Sequence, residues 1–144
     1  MKKWLDEFLS DFHKIHLKNL GYKKKYHTFS IDRGTYWERY NFQGSAYNPT
    51  EGNEGTFYLN VGVEFKDLEP RTSWTWFGNT HSAWRLHCDA TVPGGGWEYD
   101  EKLNKEELMH KLLDLIEETS QEIAEGIADI RSRYLEHLSS KSME

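Results

Sequence analysis

The chain has 144 residues, of which 37% are hydrophobic and 29% charged, and its formal net charge at pH 7 is −6. That length suits one domain and excludes two ordinary ones, and a chain of this size can bury roughly 68–70% of its unfolded surface without a disulfide or metal staple. The acid excess argues against non-specific nucleic-acid binding, which depends on neutralising phosphates, and an aromatic content of 15% argues against a disordered body.

Cys88 is the single cysteine, so no intramolecular disulfide can form, which fits a reducing compartment. Asp6, Glu7 and Asp11 interrupt the apolar residues of the N-terminus, unlike the core of a signal peptide. No run approaches the ~20 apolar residues of a membrane span. A cytoplasmic protein without membrane association is therefore expected. Charge is uneven: residues 1–25 carry seven Lys against three acids, and residues 105–138 carry four Lys or Arg against nine Asp or Glu. The acidic total is compatible with a basic protein partner attracted by long-range steering.

Trp4, Leu5, Phe8, Leu9, Phe12, Ile15 and Leu20 recur at spacings of three and four and predict one amphipathic helix of about 16 residues. Gly21 stands where a C-terminal glycine cap would end it, and Lys23, Lys24 and Lys25 read as a solvated turn. From Tyr26 to Val92 the period changes to two. Phe29 and Ile31 mark a first strand, and Asp32-Arg33-Gly34-Thr35 a hairpin turn. A strand over Tyr36–Tyr47 places Tyr40, Phe42, Gly44 and Ala46 on one face, with Trp37, Arg39, Asn41, Gln43 and Ser45 on the other. Residues 48–53 form a loop by composition. Phe57, Leu59, Val61, Val63 and Phe65 then alternate with Tyr58, Asn60, Gly62 and Glu64.

Residues 66–82 read as a long loop that contains Trp74 and Trp76. A last strand is expected over Trp84–Val92, with Leu86, Cys88 and Ala90 inward and Arg85, His87 and Asp89 outward; Trp84 is the tryptophan assigned to the core. Pro93-Gly94-Gly95-Gly96 ends it. Asn104 and Glu107 form a capping-box pattern, and apolar residues from Leu108 to Tyr134 keep a helical stripe. An unbroken helix over residues 105–138 would be ~51 Å long, against a radius of gyration of roughly 14–15 Å for such a domain. A break at Gly126 is the preferred expectation, the other being an overhang that packs on a second chain; residues 139–144 are expected to fray. The fold class is α+β: an antiparallel four-stranded meander, with a fifth strand left open, and an N-terminal helix and a long C-terminal helix on one face.

The opening helix ending in Leu20-Gly21-Tyr22-Lys23-Lys24, then Phe29, Asn41-Phe42-Gln43-Gly44-Ser45, Phe57-Tyr58-Leu59-Asn60-Val61-Gly62-Val63 and Gly96-Trp97 before an acidic helix occur in an order that resembles the bacterial family known as domain of unknown function 4304. The resemblance runs from about Leu5 to Ile123. It implies a compact α+β fold and a bacterial origin, and no activity.

For function, the polar sheet face is the leading candidate surface. Parity gives it Trp37, Arg39, Asn41, Gln43, Tyr58, Asn60, Glu64, Arg85, His87 and Asp89, and Asn41 or Gln43 should lie beside Asn60 if their strands pair. Amides and arginines rimmed by aromatics suit recognition of a protein, whereas a sheet face turned to water needs no such role. Trp74 and Trp76, two residues apart, would serve as anchors if exposed and as a lid if buried. Glu64, His87 and Asp89 offer acid–base groups, but no phosphate loop, nucleophile elbow or His-Glu-x-x-His motif accompanies them. His13 and His16, the loose set His81, His87 and Cys88, and the spacing of Glu107 and His110 fall short of a metal motif, whose second carboxylate–histidine pair is missing. No cofactor or metal is expected. The expected function is a non-catalytic protein-binding module, of a kind that includes toxin-neutralising immunity proteins. The alternatives are a small-molecule carrier or enzyme using a groove between Trp74, Trp76 and the sheet, and a structural homodimer built through the second helix.

Overall fold

The computed structural model describes residues 3–45, 48, 54–68, 81–88 and 95–142. Its elements are helix α1 (Lys3–Phe12), strands β1 (Lys23–Lys25), β2 (Thr28–Asp32), β3 (Tyr36–Gly44), β4 (Gly55–Phe65), β5 (Ser82–Leu86) and β6 (Trp97–Tyr99), and helix α2 (Lys105–Ser142). The strands form one antiparallel sheet in the order β1-β2-β3-β4-β5, and β6 pairs with β4 as well. The architecture is α+β, as the residue periods require, with six strands among the described residues rather than four or five. The two added strands, β1 and β6, are three residues long, too short to show a period. β1 lies where the lysine run suggested a solvated turn; it pairs with β2 through a tight turn in which Tyr26 has φ 56°.

The first helix departs from its predicted length for a local reason. Regular α-helix ends at Phe12, a π-helical turn spans His13–Leu17, and a short 3-10 turn spans Lys18–Leu20. A π turn holds one more residue than an α turn, so the buried position after Phe12 falls five residues on, at Leu17. Leu17 is fully buried, whereas Ile15 and Leu20 are exposed. The expected cap is present: Gly21 closes the helix at φ 100°, and its N–H donates to the carbonyl of Lys18.

The β2–β3 hairpin forms at the predicted residues. Arg33 N–H donates to the carbonyl of Tyr36, Gly34 N–H donates to Asp32 Oδ1 at 2.8 Å, and Gly34 takes φ 94°. Beyond it, β3 and β4 pair over nine residues, with Tyr40 opposite Val61 and Phe42 opposite Leu59. Phe57, Leu59, Val61 and Val63 are fully buried. The same face receives both helices: Phe12 of α1 meets Phe29 and Phe42 edge-on, and the Tyr40 hydroxyl reaches the carbonyl of Ile116 in α2 at 3.3 Å. A second aromatic stack, Phe8 on Trp4 on Tyr99, ties β6 to α1.

Helix α2 does not break at Gly126, and it runs from Lys105 to Ser142. A glycine inside a helix costs about 1 kcal/mol, and α2 is anchored on both sides of it. Ile116 and Ile123 are buried before it. After it, Arg131 forks onto both carboxylate oxygens of Asp67 at 2.8 Å, and Tyr134 packs on His81. The helix therefore follows its own domain past Gly126 to Tyr134, and His137 beyond it still lines a groove with His81, Ser82 and Trp84. No helix among the described residues is long and apolar enough to cross a membrane.

Candidate functional site

On the sheet face opposite the helices, strand register assembles a bonded polar surface. Asn41 stands directly across from Asn60, and Asn60 across from Arg85. Asn60 Nδ2 donates to Gln43 Oε1 at 3.2 Å. Arg85 Nε donates to Asn60 Oδ1 at 3.3 Å, and Arg85 Nη2 donates to Gln43 Oε1 at 3.4 Å. The Arg85 guanidinium lies over the Tyr58 ring, 4.1 Å from its centre. Asn41 Nδ2 donates to Thr28 Oγ1 at 3.0 Å. These bonds restrain the amides and the guanidinium.

A second group adjoins them. Arg39 is paired with Gly62 across the strands, and the missing side chain there leaves its guanidinium room to reach Glu64, 3.2 Å away. Arg39 and Lys66 each place their cation over Trp37, 5.2 Å from the ring centre. Arg39 Nη1 is buried and has no hydrogen-bond partner among the described residues, and Glu64 Oε1, buried as well, is held by the Arg39 ion pair without a well-aligned hydrogen bond. Arg39 Nη1 thus carries bonding capacity that the fold leaves unused.

Of the residues singled out in the sequence, Trp37, Arg39, Asn41, Gln43, Tyr58, Asn60 and Arg85 therefore gather on one face. His87 does not join them: β5 ends at Leu86, and His87 is exposed beyond it with its ring against Gly95. Trp74, Trp76 and Asp89 lie outside the described residues. The early end of β5 also corrects the inward placement of Cys88, which is half-buried with its thiol against the carbonyl of Gly96. Trp84 is corrected too. Register puts it beside Val61 on the apolar face, but β5 is an edge strand, and 37% of Trp84 stays exposed. It borders a groove of about 450 Å³ whose other wall is α2 at Ile123, Gly126, Ile130 and Tyr134.

Sequence reasoning missed a second polar cluster, on the opposite face. Glu38 is fully buried beneath α2. Its carboxylate accepts hydrogen bonds from the Tyr40 hydroxyl at 2.6 Å, from Ser120 Oγ at 3.1 Å and from Arg33 Nε at 3.3 Å. Arg33 Nη2 also donates to Ser120 Oγ at 2.7 Å. Burial, and then the charge of Glu38, push the Tyr22 hydroxyl up to about 12 and raise Tyr40 further. The signal was present: Glu38 sits at the inward parity between Tyr36 and Tyr40. Tyr22, Ile31, Arg33 and Ser120 also line a shallow groove of about 390 Å³ beside the cluster. With three donors satisfied, the carboxylate is employed in fastening α2 to the sheet.

The family model described as Domain of unknown function (DUF4304) matches residues 14–126. No curated protein and no solved structure matches the chain.

Proposed function

This chain belongs to the DUF4304 family, and from that premise we propose that it is a non-catalytic protein-binding module whose polar sheet face recognises a basic protein partner. The observation that carries this reading is the restrained set Gln43, Asn60 and Arg85, with Arg85 stacked on Tyr58 and the Trp37–Arg39–Glu64 group beside it. Interface energy concentrates in tryptophan, tyrosine and arginine anchors, and restraint before binding lowers the entropy cost of association. The net charge of −6 supports the choice of a basic partner through long-range steering.

The test is affinity capture from the native host, followed by reconstitution with the purified partner. One stoichiometric, basic protein should be recovered. Arg85→Ala and Trp37→Ala should each weaken its binding by about tenfold or more, the scale of an interface anchor. An immunity-type role further requires that the partner arrest growth when expressed alone and lose that effect on co-expression. Recovery of no stoichiometric partner, or a reconstituted affinity indifferent to both substitutions, removes the proposal.

A further inference from the structure

His16, Glu106 and His110 come from two segments that the sequence keeps ninety residues apart. His16 is carried by the π turn after α1, and the other two lie four residues apart on the first turns of α2. The start of α2 is fixed by Asn104, whose Oδ1 accepts the Glu107 N–H at 3.1 Å. Glu107 is thereby placed in the cap region, and it is Glu106 that meets the histidines. Glu106 Oε2 is 3.8 Å from His16 Nε2 and 3.7 Å from His110 Nε2, and all three ligand-type atoms lie within 4.8 Å of one another.

These separations are too long for hydrogen bonds and are near those of ligands that share a metal ion. Donors about 2.0–2.1 Å from a tetrahedral zinc ion are roughly 3.4 Å apart. The neighbours of His16 sharpen the point. Its Nε2 is buried without a hydrogen-bond partner among the described residues, its ring is held edge-on against Phe12 and His110, and a buried polar atom left in that state needs an explanation. A metal ion between the three residues supplies one. Glu106 and His110 are exposed, with 59% and 65% of their side chains accessible, so the site opens to solvent on one side.

We propose that His16 Nε2, the Glu106 carboxylate and His110 Nε2 form a binding site for a divalent transition ion of zinc's class, with a fourth position left to water. Two imidazoles and one carboxylate suit Zn²⁺ and Co²⁺, whereas Mg²⁺ and Ca²⁺ require oxygen ligands. The ion would join the π turn to the start of α2.

The experiment is calorimetric titration of the whole chain with Zn²⁺, with Co²⁺ as a spectroscopic probe and Mg²⁺ and Ca²⁺ as competitors. One Zn²⁺ should bind per chain, raising the melting temperature, and Co²⁺ should give the visible absorption of a four-coordinate nitrogen and oxygen site. His110→Ala and Glu106→Gln change exposed side chains and should leave the circular dichroism spectrum unaltered. Each should weaken Zn²⁺ binding at least about tenfold, since even residues that only support ligands cost that much when lost. His87→Ala, which alters an exposed histidine outside the set, should bind as the parent does. Absence of saturable Zn²⁺ binding overturns the assignment, as does parental affinity in either His110→Ala or Glu106→Gln.

Discussion

The Tyr40 hydroxyl donates to Glu38 Oε2 at 2.6 Å, two residues along the same strand, and both side chains face α2. This pair turns an apolar sheet face into one with a fixed polar fastening. Ser120 reaches it from α2 and Arg33 from the β2–β3 hairpin, so three separate parts of the chain meet on one carboxylate.

Removing that carboxylate should be costly. Glu38→Ala leaves Arg33, Tyr40 and Ser120 without their acceptor, and breaking a buried ion pair from one side typically costs 3–5 kcal/mol. Because Arg33 is 35% exposed and partly solvated, a loss of about 3 kcal/mol is expected. Glu38→Gln keeps an acceptor oxygen and should lose about 1–2 kcal/mol. Urea unfolding followed by circular dichroism measures both; equal stability of Glu38→Ala and the parent would show that the cluster fastens nothing.

The same cluster sets an alkaline limit. The Tyr22 hydroxyl is raised from 10.0 to about 12, by burial first and the Glu38 charge second. A group whose folded pKa lies above its unfolded value contributes stability that is full below the unfolded value and disappears as pH rises through the folded one. This contribution should therefore be intact below pH 10 and be lost on rising through about 12. Absorbance titration at alkaline pH should show fewer late-ionising tyrosines in Tyr22→Phe than in the parent. A Tyr22 that ionises near 10 in the folded chain would contradict its burial beside Glu38.

The π turn makes an opposed pair of predictions. Leu17→Ala opens a cavity in the core and should cost about 2–5 kcal/mol. Ile15→Ala, at a position 51% exposed, should stay within about 0.5 kcal/mol of the parent. Chemical denaturation of the two variants distinguishes this geometry from a regular helix through Leu20, which would reverse the order.

Gly126 offers a stabilising substitution. A Cβ built there meets nothing within 4 Å among the described residues, and the helix is continuous on both sides. Gly126→Ala should raise stability by up to about 1 kcal/mol, with a higher melting temperature. A helix that needed to bend at this residue would lose stability instead.

Much of the candidate site could be read from alternation alone. Trp37, Arg39, Asn41 and Gln43 share one parity, Tyr58 and Asn60 another, and pairing of their strands placed Asn41 opposite Asn60. Arg85 joined them because β5 keeps parity where it begins. His87 failed because β5 stops at Leu86, and the length of an edge strand depends on what pairs with it, not on its own residues. Glu38 was overlooked for the opposite reason: its parity was plain, but its partners Arg33 and Ser120 are respectively five and 82 residues away.

Local periodicity by itself determined the two helices, the alternation of the sheet, the hairpin at Gly34 and the cap at Gly21, because each depends on residues within a few positions of one another. Tertiary structure alone decided that α2 runs unbroken past Gly126, that a buried carboxylate pins it, that Trp84 stays partly in water, and that His16 meets Glu106 and His110. Those outcomes come from packing and bonding between distant segments, whose energies outweigh a propensity difference of about 1 kcal/mol at a single residue.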